Sequence, residues 1–270
     1  MVFYFTATGN SLFAARSLEE SPISIPQAMR NPGQVYEAEV IGIVYPNYGG
    51  NVPPMVQDFL KNNTFRAAYF YMIATYGRNA GASADSANDL CVSCGIRLDY
   101  FRALLMVDNF LPNFDIAEEL KLDKNIDGQL DAVRADIAHR KKEVPLSSPE
   151  EIEARKRHIA ERRAKQAAER GGAPAPDLSR GKMFIITEAC VGCGTCRLVC
   201  PEGDWEVING RASHNGGFCQ SCFACVHHCP QKAVRLAVPE KNPEARFRNS
   251  GVSLQDIIRS NCRVNVAEDR

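Results

Sequence analysis

The sequence has no excess of charge of either sign, since 32 lysines and arginines balance 32 aspartates and glutamates among 270 residues. This balance excludes a bulk electrostatic attraction to nucleic acid or to a membrane surface. No apolar run approaches the roughly 20 residues that span a bilayer, and no signal-peptide pattern precedes the first apolar stretch. We therefore expect a cytoplasmic protein with no membrane span and no nucleic-acid partner, long enough for two domains.

The opening of the chain lacks the residues that two common phosphate loops require. A short apolar run, Val2–Phe5, meets a loop of small residues, Thr6–Ser11, and then a helical pattern, Leu12–Leu18. This first loop has no lysine, which excludes a Walker A site, and Gly9 is its single glycine, which excludes a dinucleotide fingerprint. Hydroxyls, one amide and backbone N–H groups at a helix start suit a single phosphate monoester, such as that of FMN. The alternative is an ordinary turn between a strand and a helix.

Strand and helix patterns alternate through the first part of the chain, which predicts an α/β fold with a doubly wound parallel sheet. The predicted strands are short, nearly continuous apolar runs: Val2–Phe5, Val40–Tyr45, Ala68–Thr75, Ala103–Val107 and a very short Ile23–Ile25. The predicted helices are Leu12–Leu18, Pro53–Leu60, Ser83–Cys94 and a last helix with Leu130, Val133 and Ile137 on one face. Ligands of such sheets bind at the carboxyl ends of the strands.

Two further loops at predicted carboxyl ends combine glycines with aromatic residues, in the stretches YPNYGGNVPP and TYGRNAG. A flavin ring needs an aromatic face to stack on and exposed backbone to bond its edge. Tyr48 is the first candidate for stacking and Tyr76 the second, and each also fits a surface tyrosine. The predicted FMN-binding residues of the three loops are Thr6, Ala7, Thr8, Gly9, Asn10, Ser11, Pro46, Asn47, Tyr48, Gly49, Gly50, Thr75, Tyr76 and Gly77.

The middle of the chain is charged and helical. The run Ser148–Glu151 is typical of a helix start and predicts a polar connector helix that ends at a linker, Gly171–Asp177. Its basic stretch Ala154–Gln166 fits a solvated face or a site for an acidic partner. Ile152 and Ile159 offer a weak apolar stripe against which the second domain can fold back. The predicted divisions are an FMN-binding domain at 1–145, a connector at 146–180, a [4Fe–4S] domain at 181–240 and a tail at 241–270.

Cysteine is the residue in excess, with 11 in the chain. Two runs have the spacing C-x2-C-x2-C-x3-C-P, and their cysteines are Cys190, Cys193, Cys196 and Cys200, then Cys219, Cys222, Cys225 and Cys229. This spacing wraps a [4Fe–4S] cluster, and in two-cluster proteins the fourth cysteine ligates the other cluster. We therefore predict two [4Fe–4S] clusters, with Cys229 completing the first and Cys200 the second. Zinc and disulfides are the alternatives, but zinc sites favour paired C-x2-C knuckles.

Three cysteines, and two histidines within the second run, are not among the predicted cluster ligands. Cys91 and Cys94 form a lone C-x2-C at a predicted helix end, which favours core cysteines over a metal site or a redox dithiol. Cys262 has no partner in the sequence. His227 and His228 lie inside the second run, where thiolates already supply the ligands, so we expect both at the surface. An influence on the cluster potential is the alternative.

Residues 181–240 resemble the bacterial-type 2[4Fe–4S] ferredoxins. The stretch Val2–Leu18 is similar to the phosphate loop of flavodoxins, with Ser11 where threonine is usual, while residues 21–39 lack the normal second helix. The joined whole resembles the two-domain ferredoxins of anaerobes, and so do the stretches YPNYGGNVPP, VDNFLPNFD and RFRNSG. The resemblance implies a flavodoxin-like domain with bound FMN, fused to a two-cluster ferredoxin domain.

These features predict an electron carrier that passes low-potential electrons between two [4Fe–4S] clusters and FMN and exchanges them with redox protein partners. No triad, nucleophile–base pair or nicotinamide fingerprint is present. The alternative from another class is an FMN- and iron–sulfur-dependent oxidoreductase that reduces an organic substrate, with Tyr76 or Arg78 as proton donor. A third hypothesis keeps the clusters, discards the flavin and leaves the first domain as a docking module.

Overall fold

The computed structural model describes residues 1–169, 171 and 182–262. Most of the predicted linker and the last residues of the predicted tail lie outside these ranges. Within the described residues, the first part of the chain forms a five-stranded parallel sheet with the strand order β2-β1-β3-β4-β5. Its strands are β1 (Val2–Tyr4), β2 (Ile23–Ser24), β3 (Val35–Pro46), β4 (Thr64–Tyr76) and β5 (Tyr100–Leu105). This order is that of flavodoxin-like doubly wound folds, so the predicted fold class is confirmed.

Helices cover both faces of the sheet: α1 (Asn10–Leu18), α2 (Ile25–Ala28), α3 (Pro54–Lys61), α4 (Ser83–Ser93), α5 (Ile116–Glu119) and α6 (Ile126–Ala138). Side chains alternate along β1, so that Phe3 joins the core on one face and Tyr4 the core on the other. Burial on both faces explains why the carboxyl halves of the strands are continuously apolar. We call residues 1–145 the α/β part.

Strands β3 and β4 begin earlier than their apolar runs predict. Val35 pairs with Thr64 and Ala38 with Ala67, so the two strands continue at their amino ends beyond the other strands of the sheet. Exposed and half-buried residues alternate in these extensions, as in β3 up to Val40. A pattern based on continuous burial cannot detect a strand that is paired on one edge and partly solvated.

The connector helix α7 (Pro149–Glu169) begins where the sequence predicts. Ser148 and Glu151 form a capping box, in which the Glu151 N–H donates to the Ser148 hydroxyl and the Ser148 N–H donates to the Glu151 carboxylate. No residue of α7 is buried. Ile152 and Ile159 are half-buried, and the predicted packing of the second domain on them is not found among the described residues.

Residues 182–240, which we call the cysteine module, contain two short antiparallel sheets, β6 with β9 and β7 with β8. Its elements are β6 (Phe184–Ile186), α8 (Thr195–Leu198), β7 (Trp205–Ile208), β8 (Arg211–His214), α9 (Ala224–His227) and β9 (Val234–Leu236). Its core includes Trp205 and Phe223 and also takes in Leu111 and Ile116 from the α/β part. The two parts of the chain thus share one apolar core.

Residues 241–262, the C-terminal segment, return to the α/β part. Helix α10 (Leu254–Asn261) starts at Ser253 with a capping box closed by Asp256. Asp256 also pairs with Arg16 of α1 at 2.7 Å, and Ser260 meets the Tyr4 hydroxyl at 2.7 Å. The hydrogen bonds from Arg16 and Ser253 hold the pKa of Asp256 well below its usual range. The described part of the expected tail therefore includes a helix that packs against the α/β part.

Candidate metal centre

Four cysteines from both runs line a single cavity of the cysteine module, and they are Cys200, Cys219, Cys222 and Cys225. We call them the second cysteine set. The first run contributes its last cysteine to this set because Cys200 follows α8, whose contact with α9 brings the two runs together. The Ser221 N–H points at the sulfur of Cys219 at 3.3 Å. This cavity has the ligand set that the crossed arrangement of two-cluster proteins requires.

The remaining four cysteines of the runs form the first cysteine set: Cys190, Cys193, Cys196 and Cys229. Burial raises the pKa of Cys196 to about 12, and the neighbouring thiolate that raises it most is that of Cys229. The Ala233 N–H lies 3.1 Å from the sulfur of Cys229. The influence of Cys229 on Cys196 agrees with the crossed arrangement, in which Cys229 completes the first set.

Two features of these cysteines bear on metal binding. Burial raises the pKa of both Cys222 and Cys225 well above its ordinary value, and neighbouring thiolates raise it further. Iron must therefore displace their protons, since the thiolate is the ligand. Among the described residues, no three histidine, cysteine, aspartate or glutamate side chains converge closely enough for a single metal ion. The spacing of the cysteines and the crossing of the two sets are instead typical of clusters.

The two sets differ in what covers them. Cys222 packs against the cores on both faces of the sheet, and Cys225 is buried. Between them and the sheet, Gln220 accepts a hydrogen bond from the Met55 N–H at 3.2 Å, which satisfies one of the open donors at the start of α3. Cys193 of the first set, in contrast, is exposed. One set therefore lies against the sheet and the other has a face to solvent.

The structure corrects the prediction for the two histidines, because His227 is only 5% exposed and His228 6%. Nδ1 of His227 accepts from the Phe247 N–H at 3.1 Å, so Nε2 carries the proton and donates to the Asn109 carbonyl at 3.0 Å. Burial lowers the pKa of His227 to about 3 and that of His228 to about 4. Both residues are neutral and belong to the packing between module and sheet.

The first loop, Thr6–Ser11, is buried and satisfies part of its own hydrogen bonding. Its glycine N–H donates to the Thr6 hydroxyl at 3.1 Å, and Ser11 shares a hydrogen bond of 2.9 Å with Thr75 of β4. Thr6 and Ser11 are each 1% exposed. Two hydroxyls predicted to bind phosphate therefore have partners within the chain.

Asparagines from elsewhere in the chain bind the rest of the first loop. Asn109 donates to the Thr8 hydroxyl at 2.6 Å, and the Asn249 N–H donates to the Thr8 carbonyl at 2.8 Å. The side chain of Asn249 donates to that of Asn10 at 3.1 Å. The Thr8 oxygens and the Asn10 amide oxygen thus have hydrogen-bond partners within the chain.

The C-terminal segment also closes the space above Gly9. A Cβ atom on this glycine, which has φ +103°, would lie 3.0 Å from the Cβ atoms of Asn249 and Val252. Asn261 adds a hydrogen bond of 3.0 Å to the Thr6 carbonyl. No phosphate fits between groups in such close contact.

The other two predicted FMN loops pack on each other and on the loop after β5. Asn47 donates to the Ala80 carbonyl at 3.0 Å, and Gly50 lies against the backbone of Ala82. Asp108 covers Gly77 so closely that any Cβ there would overlap it. Pro46, Tyr48 and Tyr76 are half-buried, and the Tyr48 ring meets that of Phe5 edge-on. In this arrangement the residues do not fit an FMN.

Sequence reasoning missed the asparagines that bind the first loop. Asn109 lies in the stretch VDNFLPNFD and Asn249 in RFRNSG, two of the stretches on which the resemblance to two-domain ferredoxins is based. Their partners are more than 90 residues away in the chain, so no local pattern reveals them. The remaining cysteines take ordinary positions: Cys91 is buried with its thiol 3.4 Å from the Met72 sulfur, Cys94 is half-buried and Cys262 is buried.

A larger open cleft, of about 650 Å³, lies at the opposite end of the sheet. It is lined by the strand extensions, with Glu37, Arg66, Arg97 and Asp99 among its residues. It contains no residue of either cysteine set and none of the predicted FMN site. In the ranges the structure describes, no helix combines the length and the apolar character needed to cross a membrane.

Comparison with known proteins identifies the cysteine module. Residues 182–230 match the 4Fe-4S dicluster domain. An uncharacterized ferredoxin of Methanocaldococcus jannaschii is 33% identical over 69 residues, which are 23% of this chain and 90% of that protein. Subunit PorD of pyruvate synthase from the same organism is 36% identical over 59 residues, 22% of this chain and 69% of the subunit.

The YsaA protein of Escherichia coli K12, named as a candidate electron transport protein, is 34% identical over 87 residues. The matched stretch is 29% of this chain, and it spans about half of YsaA, 55% of its length. These relatives support the binding of 4Fe-4S clusters by the cysteine module. None of their names mentions a flavin.

The filled first loop predicts that FMN is not retained. Purified protein with its clusters intact should leave the fluorescence of added FMN unchanged, because the loop hydroxyls and amides already have partners and no space remains for the phosphate. Flavin content after dialysis provides the second measurement. Stoichiometric FMN binding at micromolar concentration would contradict this expectation.

Replacing Gly9 by alanine should loosen the C-terminal segment. The added Cβ would press on Asn249 and Val252, so hydrogen exchange in residues 246–262 should become at least about tenfold faster, equivalent to ~1.4 kcal/mol. The matched control is Gly33→Ala, which meets the same strain of positive φ (+78°) but has nothing within 4 Å of its Cβ. Equal exchange in the two variants would argue against contact between loop and segment.

Proposed function

The chain belongs to the family of 4Fe-4S dicluster ferredoxins, and on that premise we propose that it is an electron-transfer protein whose α/β part seats the ferredoxin module. The single observation that carries the proposal is the cavity lined by Cys200 together with Cys219, Cys222 and Cys225. A contribution from both runs to one cavity is what two crossed [4Fe–4S] sites require and what two separate zinc knuckles do not.

The cysteine residues and the backbone around them supply the two sites. When bound, [4Fe–4S] clusters take up and release single electrons at low potential. The eight cysteines of the two sets provide the thiolates, and the N–H groups of Ser221, Ala212 and Ala233 point at sulfurs of Cys219, Cys190 and Cys229. Such hydrogen bonds stabilise negative charge on the sulfurs and hold the thiolates in position.

The first cysteine set offers the surface for a redox partner. Cys193 is exposed, and so are its neighbours Val191, Val207 and Ile208, of which Val191 is 64% exposed. Apolar side chains grouped on a surface are typical of protein contact sites. We place partner docking on this face. The similarity to a pyruvate synthase subunit supports an oxidoreductase as the partner.

The structure favours the docking hypothesis for the α/β part over FMN chemistry. Arg78, a candidate proton donor, is paired with the buried carboxylate of Glu119 and lies over the ring of Phe114 at 5.6 Å. Tyr76 is half-buried. Neither faces an open pocket above a flavin site, so we do not propose reduction of an organic substrate at FMN.

The proposed ligand sets predict the iron content. Anaerobically purified and fully reconstituted protein should contain about eight iron atoms per chain, four for each cluster. Cys222→Ser should remove about half of this iron, while Cys94→Ser, which changes a half-buried cysteine outside both sets, should retain all of it. Tightly bound zinc, or no more than about four iron atoms in reconstituted wild-type protein, would contradict the proposal.

The docking face can be tested with a charged substitution. Val191→Glu should slow electron exchange with a reduced two-cluster ferredoxin severalfold, because a carboxylate replaces an apolar contact. Val92→Glu changes an equally exposed valine, 67% against 64%, on the distant helix α4 and should have no effect. Stopped-flow absorbance measures the rate of cluster reduction in both variants. Dithionite serves as the control reductant, because it reduces the clusters without docking as a protein does. If Val191→Glu and Val92→Glu accept electrons from the reduced ferredoxin at the same rate, the docking surface lies elsewhere.

A further inference from the structure

One hydroxyl at the contact between the α/β part and the second cysteine set has no hydrogen-bond partner. The Tyr48 hydroxyl is buried, and among the described residues no group accepts or donates a hydrogen bond to it. Buried tyrosine hydroxyls normally find a partner, and leaving a buried polar group unpaired costs about 1–3 kcal/mol. The chain retains this hydroxyl at a position where phenylalanine would pack equally well.

The backbone around Tyr48 holds the side chain in a defined direction. Tyr48 and Asn51 pair across a two-residue turn with hydrogen bonds of 3.2 Å in both directions. Gly49 and Gly50 have φ of +64° and +89°, as a type I′ turn requires. The ring also meets that of Phe5 edge-on, with 6.5 Å between centroids. Tyr48 is therefore not free to turn its hydroxyl to solvent.

One cysteine of the second set packs against the same core cluster as Tyr48. Tyr48 and Cys222 both pack against the cluster of buried residues that includes Phe5 and Met55. Two thiolates, Cys222 first and Cys219 second, raise the pKa of Tyr48 further after the larger effect of burial. The hydrogen bond from the Met55 N–H to Gln220 holds the segment between these two cysteines against α3. The orphan hydroxyl and Cys222 thus belong to the same packed region, near the start of α3.

We propose that the Tyr48 hydroxyl donates a hydrogen bond to a sulfur of the cluster held by Cys200, Cys219, Cys222 and Cys225. This assignment rests on the proposed function, because the acceptor belongs to the bound cluster. Thiolate and sulfide sulfurs accept hydrogen bonds, and such bonds favour the more negative, reduced state. The α/β part then acts on the potential of the second cluster and does more than support it.

The chain contains a matched control in Tyr45. Its hydroxyl is also buried without a partner, but the thiol that influences it is that of Cys91, which belongs to neither set. Tyr45→Phe therefore removes a hydroxyl of the same kind from the same core without touching the second cysteine set. Any general effect of losing a buried hydroxyl appears in both variants.

The experiment is a redox titration of the full-length, cluster-loaded protein, with both clusters followed by electron paramagnetic resonance. In Tyr48→Phe, the reduction equilibrium of the second cluster should become about tenfold less favourable, a fall of about 59 mV in midpoint potential for one electron. The first cluster should keep its potential. Tyr45→Phe should change neither.

A second protein is needed in case Tyr48→Phe fails to bind the second cluster. Incorporation of 3-fluorotyrosine at position 48 keeps the ring and makes its hydroxyl a stronger donor, so the second potential should rise. If Tyr48→Phe and the 3-fluorotyrosine protein contain all their iron and both keep the wild-type potentials, the hydrogen bond does not exist. The proposal is also overturned if Tyr48→Phe lowers the potentials of both clusters, or if Tyr45→Phe lowers either potential. Wild-type protein that never binds two clusters instead refutes the proposed function on which the inference rests.

Discussion

Buried polar groups at the carboxyl edge of the parallel sheet must all find hydrogen-bond partners, and the arrangement of the whole chain depends on how those partners are supplied. In a nucleotide-binding sheet the ligand supplies them. Here Asn109 and Asn249 do so, by binding Thr8 and Asn10 of the first loop. These amides donate to the Thr8 hydroxyl and to the Asn10 side chain, whereas a phosphate oxygen would accept from the loop. The polar groups of the loop are therefore paired within the chain, in a different sense from phosphate binding.

A neutral histidine connects the three segments that meet at this edge. His227 accepts from the backbone of Phe247 and donates to the carbonyl of Asn109, and both bonds need an imidazole with a single proton. Burial keeps it in that form by lowering its pKa to about 3. The cysteine module, the loop after β5 and the C-terminal segment are thus held together by an uncharged group, and no buried charge has to be compensated.

This packing makes the two cysteine sets unequal although their sequence spacings are the same. The second set lies against two cores of the sheet, whereas Cys193 of the first set is exposed. Local dielectric and hydrogen bonds to sulfur both affect the potential of an iron–sulfur site. The difference follows from where the α/β part binds and not from the cysteine runs, so it is a property of the joined chain.

Local patterns in the sequence determined the doubly wound sheet, the helix start at Ser148 and the two cysteine runs, because strand burial, capping and ligand spacing each act over a few residues. Only the tertiary structure decided what fills the first loop, where His227 lies and which of the cysteine sets is covered. These outcomes depend on contacts such as Asn249 with Asn10, which join residues 239 positions apart. A strand–loop–helix that can bind phosphate has the same local sequence whether a nucleotide or another part of the chain occupies it, since the loop carries both donors and acceptors and can form hydrogen bonds with either.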